Sequence, residues 1–159
     1  MASLPLHRTG IAPEWVDYNG HLRDAYYWLI VSLATDELMD RIGLDAAYRE
    51  RTRCTLYTLE GHIHYLREVK QADTVLTAVR LLGVDGKRIH AAFTLCREGS
   101  AEPAAVAELM LLHVRQGPTV TSAAFPPEVT EALRRLATET SGDTLDLPGS
   151  RQMHLRGRR

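Results

Sequence analysis

Three polar residues of the segment DYNGHL, namely Asp17, Asn19 and His21, stand a few positions ahead of a long apolar run. A carboxylate can attack a carbonyl carbon or activate a water molecule, and a nearby amide or imidazole can hold the water or the substrate. Gly20 lies among them, and a glycine lets the backbone pass close to a bound molecule. An aspartate ahead of a helix is more often a cap or turn residue, so the role of Asp17 depends on what the following segment forms.

The apolar run predicts a helix from about Asp24 to Ile42. Asp24 is a good N-cap residue, Arg41 suits the last turn, and Gly43 is typical of the position after a helix end. The first half, AYYWLIVSLA, is apolar on nearly every side, so we expect other elements to wrap around this helix. Because Asp24 fills the capping position, Asp17 lies too far ahead to cap the helix, which favours a chemical role.

The remaining sequence predicts an antiparallel sheet and a second helix. Residues 9–16 suit a first strand, broken by Pro13. In the segment LYTLEGHIHYL, mostly apolar and polar residues alternate, which is typical of a half-buried strand. The mostly apolar positions are Tyr57, Leu59, Gly61, Ile63 and Tyr65. A hairpin turn at Asp85-Gly86 is flanked by two predicted strands, TVLTAVRLL and RIHAAFTLC. A further strand is predicted for AAVAELMLLHV, and a helix follows over 127–138. This order indicates the α+β class, with an antiparallel sheet of about five strands wrapped around one long helix.

The composition is that of an ordinary globular domain: 159 residues, 45% hydrophobic, 25% charged and a formal net charge of −1. That balance argues against nucleic-acid binding. The N-terminus lacks the pattern of a signal peptide, and no apolar run reaches the ~20 residues that span a bilayer. Two cysteines without metal-like spacing fit a reducing cytoplasm. We expect one domain over residues 1–145 and a mobile tail over 146–159.

The segment DYNGHL, followed by an aromatic residue at Tyr26 or Tyr27, resembles the motif of the 4-hydroxybenzoyl-CoA-thioesterase-like acyl-CoA thioesterases, which have the hot-dog fold. Together, DYNGHLRDAYY, YTLEGHIHYLREV and AELMLLHV are similar to the betainyl-CoA thioesterases of carnitine breakdown. The family commonly has Asn-Asn where this chain has Arg23-Asp24, which is a departure. The resemblance covers about residues 9–114 and implies hydrolysis of a small acyl-CoA, most closely betainyl-CoA to glycine betaine and CoA.

The resemblance also implies roles for the loop and for the start of the helix. Asp17 would be the nucleophile or the general base, and Asn19 would position the water or the carboxylate. His21 would either donate a hydrogen bond to the substrate or hold the loop by bonding backbone. The oxyanion would be stabilised by unpaired N–H groups at the positive end of the helix dipole, in a backbone site made by Gly20, Arg23, Asp24 and Ala25.

The trimethylammonium group of betainyl-CoA needs a particular kind of pocket, because proteins usually hold such a cation over aromatic faces. The candidate substrate-binding residues are Trp15, Tyr18, Tyr26, Tyr27 and Tyr65. Among them we favour Trp15 and Tyr18, which flank the proposed catalytic loop. The alternative is that aromatic residues at helical spacing belong to the core.

Other residues could in principle supply a carboxylate or bind a metal. Glu60 is a reserve catalytic carboxylate, although a solvated strand residue is the commoner role. His62 and His64 share one face of the predicted strand, yet no third ligand is evident. We therefore expect no metal and no cofactor.

The resemblance further implies a homodimer or homotetramer, with a small-molecule acyl-CoA as substrate and neither nucleic acid nor membrane as partner. Two other functions stay open. A hot-dog hydratase or dehydratase also has a Gly-His step but would not depend on Asp17. A non-catalytic acyl-CoA-binding module is compatible with the Arg23-Asp24 departure, since that pair lies in the turn that must aim the amides.

Overall fold

The computed structural model describes residues 5–141, so the predicted tail over 146–159 lies outside the described residues. The elements are β1 (Pro5–Gly10), a 3₁₀ turn (Pro13–Trp15), α1 (Asp24–Arg41), α2 (Ala46–Thr52), β2 (Cys54–Tyr65), β3 (Thr74–Val84), β4 (Arg88–Arg97), β5 (Pro103–Arg115), β6 (Thr121–Ser122) and α3 (Pro127–Thr140). The α+β class, the long helix and the second predicted helix are confirmed. α2 has no counterpart among the predicted elements, so the described residues form three helices where the sequence predicts two.

The strands described here form one antiparallel sheet in the order β1-β3-β4-β5-β2, with the two-residue β6 beside β5. β3 and β4 form the predicted hairpin, closed by a hydrogen bond from the N–H of Asp85 to the carbonyl of Arg88 (3.1 Å). β2 pairs with β5 alone and lies at one edge. One side of its backbone therefore has no strand beside it in the described chain.

α1 packs against the inner face of the sheet with one side of the helix. The buried side chains of the helix include Tyr27, Ile30, Val31, Ala34 and Leu38. Ala91, Ala105 and Ala107 are fully buried on β4 and β5, and such small side chains let a helix approach a sheet closely. On its other side the helix leaves Leu29 38% exposed. The prediction that the first half of the helix is wrapped on nearly every side is therefore wrong for the single chain.

The predicted alternation of β2 is interrupted by a bulge. The register against β5 shifts between positions 58 and 60, so that Tyr57 pairs with Leu112 and Gly61 with Leu109. Positions 109 and 112 point to opposite faces of β5, and the same must hold for their partners. Leu59, at the bulge, is 56% exposed. Tyr57 therefore does not lie on the same face of the sheet as Gly61, and Tyr57, Leu59 and Gly61 are all exposed, contrary to the predicted half-buried series.

The start of α1 differs from the prediction by one residue. Arg23 occupies the N-cap position with an extended backbone and no side-chain cap, and Asp24 is the first helical residue. The carboxylate of Asp24 accepts a hydrogen bond from the N–H of Ala25 (2.9 Å). The helix end is as expected, with Gly43 at φ +87° just beyond it. None of the described helices has the length and apolarity that crossing a bilayer requires.

Two local predictions fail for simple reasons. The first strand ends at Gly10, and the segment predicted to continue it forms a 3₁₀ turn beginning at Pro13, because proline fixes φ and has no N–H to donate to a sheet. The helix α2 is capped by Asp45, whose carboxylate accepts from the N–H of Tyr48 (2.8 Å). That aspartate is the sequence signal that would have identified α2.

Candidate active site

Asp17 folds its own loop into a tight turn. Its Oδ1 accepts hydrogen bonds from the backbone N–H groups of Asn19 (2.8 Å) and His21 (3.1 Å). The backbone N–H of Asp17 donates to the carbonyl of His21 (2.8 Å), and the N–H of Gly20 donates to the carbonyl of Asp17 (3.0 Å). Gly20 has a φ of +77°, a conformation that glycine adopts without a steric penalty. The predicted loop is thus a rigid four-residue turn built around a carboxylate.

The Asp17 carboxylate is ionised at neutral pH and only partly engaged. The backbone N–H of His21 lowers its pKa below the ordinary 3.8, with further help from the N–H of Asn19 and the charge of Arg23. Both backbone hydrogen bonds go to Oδ1. No donor in the described part of the chain bonds to the other oxygen, Oδ2. The turn therefore presents a charged oxygen that is available to a substrate or a water molecule.

His21 and Asn19 contribute to this turn mainly through their backbones. The Nε2 of His21 lies 3.2 Å from a carboxylate oxygen of Glu68, and the backbone of His21 forms an isolated bridge with Lys70. These contacts favour the loop-holding alternative for His21. Asn19 is exposed, and its bond to Asp17 comes from the backbone N–H.

The three predicted oxyanion donors at the start of α1 are not equivalent. The N–H of Arg23 donates to the carbonyl of Trp15 (3.0 Å), so the prediction that it is a free donor is wrong. The N–H of Ala25 is engaged by the carboxylate of Asp24. The N–H of Asp24 alone among these three has no partner within the described residues. It lies in the first turn of α1, where unpaired N–H groups and the positive end of the dipole favour negative charge.

A cleft of about 330 Å³ opens beside the start of the helix. Its walls come from the end of the DYNGHL turn, from α1 and from the chain that follows β2. Its lining residues are His21, Leu22, Asp24, Tyr27, Tyr65, Leu66, Arg67 and Glu68, so Asp17 and Asn19 do not line it. The sequence analysis did not identify Leu66 or Glu68 as site residues. No local pattern marks them, because the chain after β2 is brought to the loop by hydrogen bonds such as that from the N–H of Leu22 to the carbonyl of Val69 (2.8 Å).

The aromatic candidates fall into two groups. Tyr27 and Tyr65 line the cleft in an edge-to-face pair, with ring centroids 5.1 Å apart and an interplanar angle of 81°. Burial is the main cause that raises the pKa of each phenol. Trp15 stacks on Tyr26 instead, at 5.4 Å and 15°, and Tyr18 is 94% exposed at the tip of the turn. The structure thus places Tyr27 and Tyr65, and not the favoured Trp15 and Tyr18, at the cleft.

The reserve carboxylate lies elsewhere. Glu60 pairs with His62, with an Oε1–Nε2 distance of 2.9 Å, and Glu60 and His62 line a separate small cleft with residues of β4 and β5. Glu60 is therefore not brought to the loop of Asp17 in the single chain. Among residues 5–141, no three His, Cys, Asp or Glu side chains converge as a metal site would require.

Comparison with known proteins places these features in context. The sequence profile of the thioesterase-like superfamily matches residues 11–133. A betainyl-CoA thioesterase from Pseudomonas aeruginosa is 47% identical over 135 residues, which are 84% of each chain. An L-carnitine dehydrogenase/betainyl-CoA thioesterase from Agrobacterium fabrum is 40% identical over 92% of this chain, and the match spans only 30% of that longer protein.

Two solved structures share the whole architecture. A proposed thioesterase from Pseudomonas putida superimposes with a TM-score of 0.87 and 43% identity, covering 99% of both chains. A protein from Staphylococcus aureus, solved in complex with CoA, gives a TM-score of 0.88 at 27% identity over 98% of both chains. The predicted sheet wrapped around a long helix is therefore an architecture that known relatives adopt from end to end.

Proposed function

The chain belongs to the thioesterase-like superfamily, and from that membership we propose that it hydrolyses betainyl-CoA to glycine betaine and CoA. The thioesterase from Pseudomonas aeruginosa, of similar length, is named for this substrate. The match to one part of the longer carnitine dehydrogenase fusion points to the same reaction. The activity is thus thioester hydrolysis, as the sequence resemblance implied, in the breakdown of carnitine.

One observation carries the proposed mechanism. The ionised carboxylate of Asp17 has one oxygen without a hydrogen bond in the described structure, and it lies in a turn that leads directly into the helix whose Asp24 N–H is unpaired. A carboxylate and an oxyanion donor are the two groups that thioester hydrolysis requires. The turn and the helix are joined by only a few residues, which suits both groups to act on one carbonyl.

The reaction follows from these two groups. Asp17 either attacks the thioester carbon or removes a proton from the water that attacks it. Negative charge then develops on the carbonyl oxygen, where the N–H of Asp24 and the helix dipole stabilise it. Collapse of the intermediate breaks the carbon–sulfur bond and releases CoA as the thiol. When water attacks, the acyl group leaves directly as the carboxylic acid. When Asp17 attacks, the acyl group stays on Asp17 as a mixed anhydride, and a water molecule then hydrolyses this bond and regenerates the carboxylate. Each route consumes one water molecule.

The edge strand supports a homo-oligomer. β2 has twelve residues and a free edge in the described chain, and Leu59 is exposed on it. Such an edge pairs readily with another copy of itself. We propose a homodimer joined through β2, with a homotetramer as its larger form.

The cysteines Cys54 and Cys96 are free, which suits the reducing cytoplasm.

The test is a thiol-release assay with the purified chain. Betainyl-CoA is compared with acetyl-CoA, and crotonyl-CoA is included to detect hydration. The proposal predicts release of free CoA, with kcat/KM highest for betainyl-CoA and no hydration of crotonyl-CoA. Hydrolysis of neither thioester would contradict it and would leave a binding module. Sedimentation at several protein concentrations tests the dimer separately.

A further inference from the structure

We propose that Asp24, Glu68 and the ring of Tyr65, which line one cleft, form the site that selects a positively charged acyl group. The inference rests on the proposed thioester hydrolysis and adds to it the residues that determine specificity. All three line the cleft beside the start of α1. The sequence predicts a helix-capping role for Asp24 and an oxyanion donor from its backbone, but no substrate-binding role for either carboxylate.

The position of Asp24 is the first reason. Its unpaired N–H is the free oxyanion donor, so the substrate carbonyl must lie within hydrogen-bond distance of this residue. Its carboxylate belongs to the same residue and lies in the same cleft. The hydroxyl of Tyr65 donates to the carbonyl of Asp24 (3.4 Å), which keeps the aromatic ring against this end of the helix. A negative charge and an aromatic ring thus flank the reacting carbonyl.

Glu68 supplies a second negative charge on another wall. Its carboxylate lies 3.2 Å from Nε2 of His21, and its side chain is 66% exposed. The contact with His21 holds Glu68 at the catalytic turn. Asp24 is exposed as well, so solvent weakens the attraction of both carboxylates for a cation, and Asp24 has the larger effect only because it lies next to the reacting carbonyl.

The size of the betainyl group decides which pocket the cation can reach. Its quaternary nitrogen is two bonds from the thioester carbon, a separation of ~2.5 Å with ordinary bond lengths. A second groove of about 380 Å³ runs along α1 and is lined by Trp28, Asp36 and eight other residues. Asp36 is twelve residues from Asp24, or about 18 Å along a helix. The short acyl group therefore keeps its cation at Asp24 and cannot place it near Asp36.

Electrostatics explains why a carboxylate at this position selects for charge. A fixed negative charge beside a developing oxyanion opposes the reaction of a neutral acyl group. A cation on the acyl group lies near the carboxylate and near the oxyanion. Its attraction to both offsets the repulsion between them. Asp24 therefore lowers the rate for neutral thioesters and raises it for cationic ones. Aromatic contact with Tyr65 adds to the binding of the cation.

The experiment compares betainyl-CoA with 3,3-dimethylbutanoyl-CoA, which has a carbon in place of the quaternary nitrogen and is otherwise the same shape. The kcat/KM ratio of the two substrates is measured for wild type, Asp24→Asn, Glu68→Gln and Tyr65→Leu. Asp24→Asn keeps the backbone donor and changes only the charge. Glu131→Gln on α3 is the matched control, since it removes one exposed carboxylate that does not line the cleft.

We expect the ratio to fall about tenfold in Asp24→Asn, because the variant loses a close but solvated charge pair. It falls about threefold in Glu68→Gln and by a similar factor in Tyr65→Leu, and it is unchanged in Glu131→Gln. Added salt lowers the ratio of the wild type more than that of Asp24→Asn, because salt screens the attraction.

The outcomes separate this inference from the function on which it rests. If wild type hydrolyses betainyl-CoA but Asp24→Asn and Glu68→Gln change both substrates equally, the charge selection is wrong and the thioesterase function stands. If wild type prefers the neutral isostere, the selection is likewise overturned. If wild type hydrolyses neither substrate, both the function and this inference fall.

Discussion

Two tight turns of this chain are built on an aspartate in the same way. Asp17 accepts two backbone N–H groups of its own turn on Oδ1. Asp85, in the β3–β4 hairpin, accepts the N–H groups of Lys87 (3.0 Å) and Arg88 (2.7 Å) on its Oδ1. The pKa of both carboxyl groups is lowered: for Asp17 mainly by the backbone N–H of His21, and for Asp85, to about 2, first by the side-chain hydrogen bond from Arg88 and then by the backbone N–H of Lys87. Turn chemistry alone does not distinguish the two residues.

The second oxygen and the neighbouring element distinguish them. Oδ2 of Asp85 is occupied by the guanidinium of Arg88, with Nε at 2.7 Å and a second nitrogen at 2.6 Å. Oδ2 of Asp17 bonds to no donor in the described part of the chain. The Asp85 turn leads into β4, whereas the Asp17 turn leads into the unpaired N-terminus of α1. We therefore expect Asp85, whose two oxygens are both bound, to be structural, and Asp17 to be the reactive carboxylate.

The largest expected effect is on catalysis, in the pair Asp17→Asn and Asp85→Asn. An asparagine keeps one oxygen to accept the turn's N–H groups but has no negative charge. Thiol release from betainyl-CoA is expected to fall ~10²–10⁴-fold in Asp17→Asn, as for loss of a catalytic acid–base group. Asp85→Asn retains wild-type kcat. Near-wild-type thiol release by Asp17→Asn would contradict the catalytic assignment and would mean that another residue acts as the nucleophile or base.

The glycines of the two turns give the second comparison. Gly20 has φ +77°, so Gly20→Ala is expected to cost ~1–2 kcal/mol in the free energy of unfolding and to lower kcat by displacing Asp17. Gly86 has no left-handed φ, and a Cβ there meets nothing within 4 Å. Gly86→Ala should therefore leave both quantities near wild type. Urea unfolding and thiol release on the same preparations measure both, and equal effects of the two substitutions would contradict the assigned conformations.

The third comparison concerns stability and pH. The folded-state pKa of Asp85, about 2, is below its ordinary value of 3.8. Its ionised form therefore stabilises the fold above pH ~4, and this contribution is lost as the pH falls through about 2. We expect Asp85→Asn to melt at a lower temperature than wild type at pH 7. The difference in Tm should shrink as the pH falls from about 4 towards 2, and a difference that stays constant would show that the charge is not involved.

The smallest effect is expected for Arg88→Gln. This variant keeps the backbone donors to Asp85 but removes the guanidinium from Oδ2. The Tm should fall less than in Asp85→Asn, because an exposed ion pair contributes little. Activity should stay at the wild-type level, since a freed oxygen in this turn has no oxyanion donor beside it. Measurement of Tm and thiol release side by side checks both expectations.

The fold was predictable from sequence where local signals agree. The long helix begins and ends within one residue of its predicted bounds, and the Asp85-Gly86 hairpin lies where the turn residues place it. The burial of β2 was not predictable, because a bulge shifts the pattern and no residue type marks it. The N-cap was assigned to Asp24 because aspartate is typical there, yet Arg23 holds that position.

The arrangement of the candidate site follows from the sequence only where its residues are close together along the chain. Asp17, Gly20 and the helix start are close in sequence, and their arrangement follows from one turn. Glu68 reaches His21 through long-range pairing, including the bridge between His21 and Lys70. Residues so far apart in the sequence form no local spacing pattern from which their contact could be predicted. For the same reason the sequence favours Trp15 and Tyr18, which are close to the loop along the chain, as substrate-binding residues over Tyr65, which lies at the end of β2.

The pH dependence of kcat/KM for betainyl-CoA tests most directly whether the Asp17 carboxylate does the chemistry. Because hydrogen bonds from its own turn hold the pKa of Asp17 below 3.8, the group is ionised at every pH above about 5. The account predicts a flat profile from about pH 8 down to about pH 5, with an acid limb only below that range. An acid limb near pH 6.5, where histidine ordinarily titrates, would contradict the account and assign the base to an imidazole.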